Sequence, residues 1–149
     1  MITLQEIDAT EHVADMAWML PGHREELTTN KDLMHIKPDM ETYAALQGLG
    51  KLLSVAASDG DRMVGYSINI IQPMLHYADV LTCQNDLLYL HPDYRKGSTG
   101  LRLMRETERL ARDRGCQMMT WHAKFETPLF AILEKLRYRK QEAVYSRVL

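Results

Sequence analysis

The sequence predicts an α/β domain: a mixed, mostly antiparallel central sheet flanked by about four helices. Three observations carry this. Apolar residues switch between spacing of two and spacing of three to four along the chain, giving strand, two helices, hairpin, long strand, helix, strand, helix, strand. Ser58-Asp59-Gly60-Asp61 separates two β-forming runs and is a hairpin signal, because Gly60 can supply the positive φ of a tight turn. A long amphipathic helix between Gly97 and Gly115 joins two strand-like runs, and a strand–helix–strand crossover implies parallel pairing.

The elements follow in order. Ile2 to Ile7 alternates as a first strand. Thr10 suits an N-cap for a helix from Glu11 to Leu20, with Val13, Met16, Ala17 and Leu20 on one face and Pro21-Gly22 as its break. His23 to Leu27 reads as a short continuation, and Thr28 to Lys31 as loop. Asp39 can cap a second helix, Met40 to Leu49. Trp18, Met34, His35 and Tyr43 either line a space between these helices or form their packing face. Leu52–Ala57 and Arg62–Ile71 are the hairpin strands, the second rich in Val, Tyr and Ile.

Asp79 to Leu90 is a long strand. Strict alternation puts Val80, Thr82, Gln84, Asp86, Leu88 and Leu90 on one side, and Leu81, Cys83, Asn85, Leu87 and Tyr89 on the other. Asn85 and Asp86 interrupt an apolar run, which costs stability unless they face solvent or a site. Ser98 or Thr99 can cap the next helix, which puts Gly100, Leu103, Met104, Thr107, Leu110 and Ala111 on one face. Glu108 and Arg112 are spaced for an ion pair, and Gly115 suits the C′ position. Gln117–Ala123 is the crossover strand, Pro128 opens a helix to Leu136, and Arg139–Val148 is a closing strand.

A chain of 149 residues, 46% hydrophobic and 26% charged, suits one domain, residues 1–149, with a real core. A net charge of −2 gives no bulk attraction to nucleic acid or to an acidic membrane. No apolar run reaches the ~20 residues of a membrane span, and the N-terminus lacks a signal pattern, so the expected location is cytoplasmic. Cys83 and Cys116 read as small core residues rather than a disulfide framework. The ten methionines serve either as core filler or as a pliable pocket. His12, His23, His35, His76, His91 and His122 lack metal-ligand spacing, so no metal is expected. His122 either faces a cleft or is structural.

The chemistry concentrates at Arg95-Lys96-Gly97-Ser98-Thr99-Gly100. A helix start presents unpaired N–H groups, and two cations stand beside it. That suits a pyrophosphate, although the stretch is neither a Walker A loop nor G-x-G-x-x-G. Tyr94 to Gly100, after a strand ending Leu88-Tyr89-Leu90-His91-Pro92, resembles the acyl-CoA loop of the GNAT acetyltransferases. That family's pattern is Arg/Gln-x-x-Gly-x-Gly/Ala; the matching positions are Arg95, Ser98 and Gly100, with serine for the middle glycine. The order of elements resembles the GNAT plan over essentially the whole chain, and the small phage and prophage acetyltransferases are similar.

The resemblance implies a GNAT fold with a splayed parallel strand pair and acetyl-CoA as co-substrate. It implies that Leu88, Tyr89 and Leu90 form the strand end along which the pantetheine arm pairs. Arg95, Lys96, Gly97, Ser98, Thr99 and Gly100 would hold the pyrophosphate, and Leu90 N–H would polarise the thioester carbonyl. Thr127 or Glu126 lies near the position of a cofactor-contacting asparagine. Asp86 stands where many members have a glutamate; it is either the catalytic base or a solvated strand-end carboxylate. Leu133 in Leu133-Glu134-Lys135-Leu136-Arg137-Tyr138 replaces a tyrosine that often acts as general acid. Tyr89 and Tyr145 are alternative proton carriers. The implied function is direct transfer of an acetyl group from acetyl-CoA to a primary amine. The alternative is an inactive GNAT-fold protein that binds acyl-CoA or regulates. The partner is a small-molecule or peptide amine, and the fold admits a homodimer; the acidic Glu25, Glu26, Asp32 and Asp39 either attract a cationic amine or are ordinary surface carboxylates.

Overall fold

The structure is a computed structural model describing residues 1–149. Its elements are β1 (Ile2–Ile7), α1 (Val13–Met16), a 3-10 turn (Ala17–Met19), α2 (Leu20–Leu27), α3 (Met40–Gly48), β2 (Leu52–Asp59), β3 (Arg62–Met74) and β4 (Tyr77–Leu90). A second 3-10 turn (Pro92–Tyr94), α4 (Thr99–Asp113), β5 (Met118–Thr120) and α5 (Pro128–Lys135) complete it. The five strands form one sheet in sequence order; all neighbours are antiparallel except β4 and β5, which are parallel. The mixed sheet, the hairpin at Gly60 (φ 59°) and the parallel crossover all agree with the sequence.

The sheet is covered on both faces, and strand alternation decides which residue goes where. Leu52 and Ala56 join Met16, Met19, Tyr66, Ile68 and Tyr89 beneath the N-terminal helices. Leu53, Val55 and Ala57 join Val64, Cys83 and Leu90 under Leu103 and Ala111 of α4. Leu103 is fully buried, worth about 1.5–3 kcal/mol for such a side chain. Both cysteines are free, and burial pushes the Cys83 thiol up to about 12. No helix is long and apolar enough to cross a membrane.

Several local expectations change. Pro21-Gly22 does not break the first helix but sits in the first turn of α2, where a missing N–H costs nothing. Trp18 and Tyr43 pack against the core, whereas Met34 and His35 are exposed, so these residues do not enclose a common space. Ser98 is the N-cap of α4, but neither hydroxyl caps it. Glu108 does not pair with Arg112. It accepts from Trp121 Nε1 (2.9 Å) and Tyr138 OH (2.6 Å), while Arg109 bridges Glu106 and Asp113. The fifth strand shortens to Met118–Thr120, and Arg139–Val148 forms no strand. Val144 and Tyr145 there are 84% and 93% exposed: β-forming residues without a partner edge do not make a strand.

Candidate active site

The site begins with a break in the regularity of β4. The β3–β4 register runs Ile68↔Leu87 and then Asn69↔Asn85, so Asp86 is an extra residue in a β-bulge. The bulge inverts the alternation. Cys83 shares a core with Leu90, and Leu81 and Leu88 pack against it, although strict alternation separates those two pairs. The two polar residues separate in role. Asn85 is buried and donates from Nδ2 to Asn69 Oδ1 (2.9 Å), Leu87 O (3.0 Å) and Ile68 O (3.4 Å), filling the bulge. Asp86 is exposed at its apex. Its charge, after burial, is the second influence raising the Tyr43 phenol, which places Tyr43 in its field.

β5 pairs with β4 only from Thr82↔Met118 to Gln84↔Thr120. Past that point β5 ends and the edge of β4 is unpaired, and Gln84 Nε2 meets His122 Nε2 at 3.4 Å beside it. His91 N–H donates to Val64 O (2.8 Å), so the backbone groups of Tyr89 and Leu87 face β3. Those of Leu88 and Leu90 therefore face the unpaired edge, as a strand-like ligand requires.

The loop after β4 ends at a set of free donors. The N–H groups of Lys96, Gly97, Ser98, Thr99, Gly100 and Leu101 make no hydrogen bond within the protein. Gly97 turns the chain with φ 83°. A Cβ on Gly100 would touch only Leu90 Cδ2, at 3.7 Å, so packing does not require glycine there. Lys96 is exposed. Arg95 is not free: its Nε donates to Leu90 O (2.7 Å), and its terminal nitrogens hold both carboxylate oxygens of Glu26 (2.9 and 2.5 Å). Thr127 caps α5, accepting from Phe130 N–H (3.4 Å) and donating to Lys124 O (2.6 Å).

Above Tyr89 lies a cluster absent from the sequence expectations. His23 is buried, its Nδ1 is 2.5 Å from Tyr66 OH, and its ring stacks on Tyr89 at 5.3 Å. Burial holds the imidazole below its ordinary pKa, with Lys124 adding to this and Glu26 opposing it. Burial also raises the Tyr89 phenol, which makes it a poorer acid. The spacing of Met16, Met19, His23 and Leu27 was the available sign that His23 faces inward. Tyr145 stands exposed on the C-terminal segment, and Leu133 offers no hydroxyl from α5. Of the acidic residues expected to draw a cationic amine, Glu26 is held by Arg95, Glu25 by Lys31, and Asp39 caps α3 through Thr42.

A surface hollow of about 460 Å³ lies elsewhere, against the β2–β3 turn, where Asp15, Asp59, Asp61 and Arg62 line it. The free backbone groups lie instead along the open edge of β4 and at the start of α4.

The open edge thus combines a parallel strand pair that stops at Gln84 and Thr120, a bulge just beyond it and an unpartnered helix start. The model of the acetyltransferase (GNAT) family matches residues 16–131, and the chain belongs to that family of enzymes. Solved structures agree over full length. An aminoglycoside acetyltransferase from an uncultured soil metagenomic sample superposes with a TM-score of 0.77 at 15% identity, covering 100% of this chain and 99% of the other. A ribosomal-protein-alanine N-acetyltransferase from Brucella melitensis biovar Abortus gives 0.74 at 16%, with the same coverages. A transcriptional regulator from Bacillus halodurans gives 0.74 at 18%, covering 100% of both chains. At these identities the likeness is one of fold. No curated protein sequence matches the chain.

Proposed function

We propose that this enzyme transfers an acetyl group from acetyl-CoA to a primary amine by direct attack. The observation that carries the reading is the coincidence of two unpaired features: the outward N–H and carbonyl of Leu88 with the N–H of Leu90, beyond the end of β5, and the six free N–H groups of residues 96–101. The first suits the amides of a pantetheine arm, the second a pyrophosphate. Leu88, Tyr89, Leu90, the Arg95–Gly100 loop and Thr127 are the cofactor-binding residues of this reading. Lys96 supplies a mobile positive charge, and Leu90 N–H meets the charge that develops on the thioester oxygen. Asp86, exposed at the bulge, takes the proton from the attacking ammonium, directly or through water. The free thiols fit a reducing compartment, the cytoplasm.

The acceptor is sought among aminoglycosides, polyamines and peptide amines, since the fold neighbours include an aminoglycoside and a ribosomal-protein-alanine acetyltransferase. Thiol release from acetyl-CoA across that panel tests the reading. With an accepted amine, Asp86→Asn lowers the rate by about 10²–10⁴; an unchanged rate removes Asp86 as the base. A second reading, cofactor binding without transfer, draws support from Leu133 and from the raised Tyr89 phenol. It predicts acetyl-CoA binding with no thiol release for any amine.

A further inference from the structure

Arg95 is the first residue of the loop matched to pyrophosphate binding, yet its donors are already committed. Nε caps the carbonyl of Leu90, an outward-facing group of β4. The two terminal nitrogens grip Glu26 of α2 in a two-pronged pair, with both side chains 29% exposed. The guanidinium lies 5.5 Å from the centre of the Tyr89 ring. On that ring α2 also rests, through the stack of His23 and through Gly22, where a Cβ would come within 2.6 Å of Tyr89 Oη. Glu26, Arg95 and the Leu90 carbonyl thus form a bracket that ties α2 to the open edge of β4. A planar, two-pronged pair of this kind is directional and stronger than a neutral hydrogen bond.

Resting on the acetyl-CoA reading, we propose that Glu26 is a positioning residue, and that Arg95 acts through the end of β4 rather than on the pyrophosphate. By covering the Leu90 carbonyl, Arg95 ends the edge open to a strand-like ligand at Leu90 N–H. A ligand following that edge turns there toward the free N–H groups of residues 96–101. The phosphates are met by those groups and by Lys96. The bracket fixes where the ligand's amide-bearing arm stops.

The test has two arms. In the ligand-free protein, the Arg95 Nε–H gives a slowly exchanging proton resonance that is lost in Glu26→Gln and kept in Lys96→Ala. Its persistence in Glu26→Gln overturns the bracket. In the second arm, ligand-observed titrations compare CoA with pantetheine, which has the arm but no phosphate. Glu26→Gln and Arg95→Ala each weaken both ligands by about tenfold, and the double variant is no weaker than either single one, as for one network. Lys96→Ala weakens CoA alone. Loss confined to CoA in Arg95→Ala, with Glu26→Gln like wild type, makes Arg95 a phosphate ligand and overturns the proposal. Failure of the wild-type protein to bind either ligand overturns the acetyl-CoA reading and the positioning role with it. The resonance arm then still decides whether the bracket exists.

Discussion

Asn85→Ala isolates the feature that sets the site apart from an ordinary sheet. Asn85 and Asn69 are 1% and 0% exposed. Asn69 donates to Leu53 O (2.9 Å) and Ser67 Oγ (3.0 Å), and Asn85 donates to Asn69 Oδ1 and Leu87 O, so one polar network spans β2, β3 and β4 inside the core. Removing the Asn85 amide deletes two short hydrogen bonds worth about 1 kcal/mol each and leaves buried acceptors short of a donor. The expected loss is about 2–4 kcal/mol. With an m-value of about 2 kcal/mol/M in urea, the unfolding midpoint falls by about 1–2 M. Because the residues share a network, Asn69→Ala combined with Asn85→Ala costs less than the sum of the two. Urea denaturation followed by circular dichroism measures all three variants. A midpoint shift below about 0.3 M for Asn85→Ala contradicts the assignment of this amide as the plug of the bulge.

Other positions give independent checks. In Gly65→Ala the new Cβ lies 2.8 Å from the Tyr89 carbonyl oxygen and 3.2 Å from Leu90 Cα, so β4 must shift. A loss of about 1–3 kcal/mol in thermal melts is expected. Gly100→Ala meets no such obstacle and replaces a helical glycine, so it melts at or above the wild-type temperature while binding acetyl-CoA less tightly; a clear drop in melting temperature contradicts the packing described. For His23, the depressed pKa means that the unfolded chain binds its proton first. Its contribution is present above the ordinary value near 6.5 and is lost as pH falls through the lower folded-state value. Stability measured from pH 7.5 to 4.5 therefore declines less steeply in His23→Gln than in wild type, and parallel curves refute this role.

Much of the fold was legible because its signals are local. Gly60 marks the hairpin, and the apolar stripe of α4 together with the crossover fixes the parallel pair. The short β5 and the absent closing strand were not legible, because Val144, Tyr145 and Val148 show β-forming character without saying which edge pairs with them. The loop stands out in the sequence through its glycines and cations, and Asp86 through its place in an apolar strand. The adjacent pair Asn85-Asp86 carried the sign of a bulge, since one polar residue is tolerated by facing outward but two in succession break the alternation. The Glu26–Arg95 pair spans 69 positions and exists only once α2 lies over Tyr89, so no local pattern records it.

Calorimetric titration of the full chain with acetyl-CoA tests the central claim most directly. Binding of one acetyl-CoA per chain with a Kd at or below about 100 μM, roughly −5.5 kcal/mol, is the predicted result. A folded protein that gives no binding heat at that concentration contradicts the placement of the cofactor along the open edge of β4 and at the start of α4.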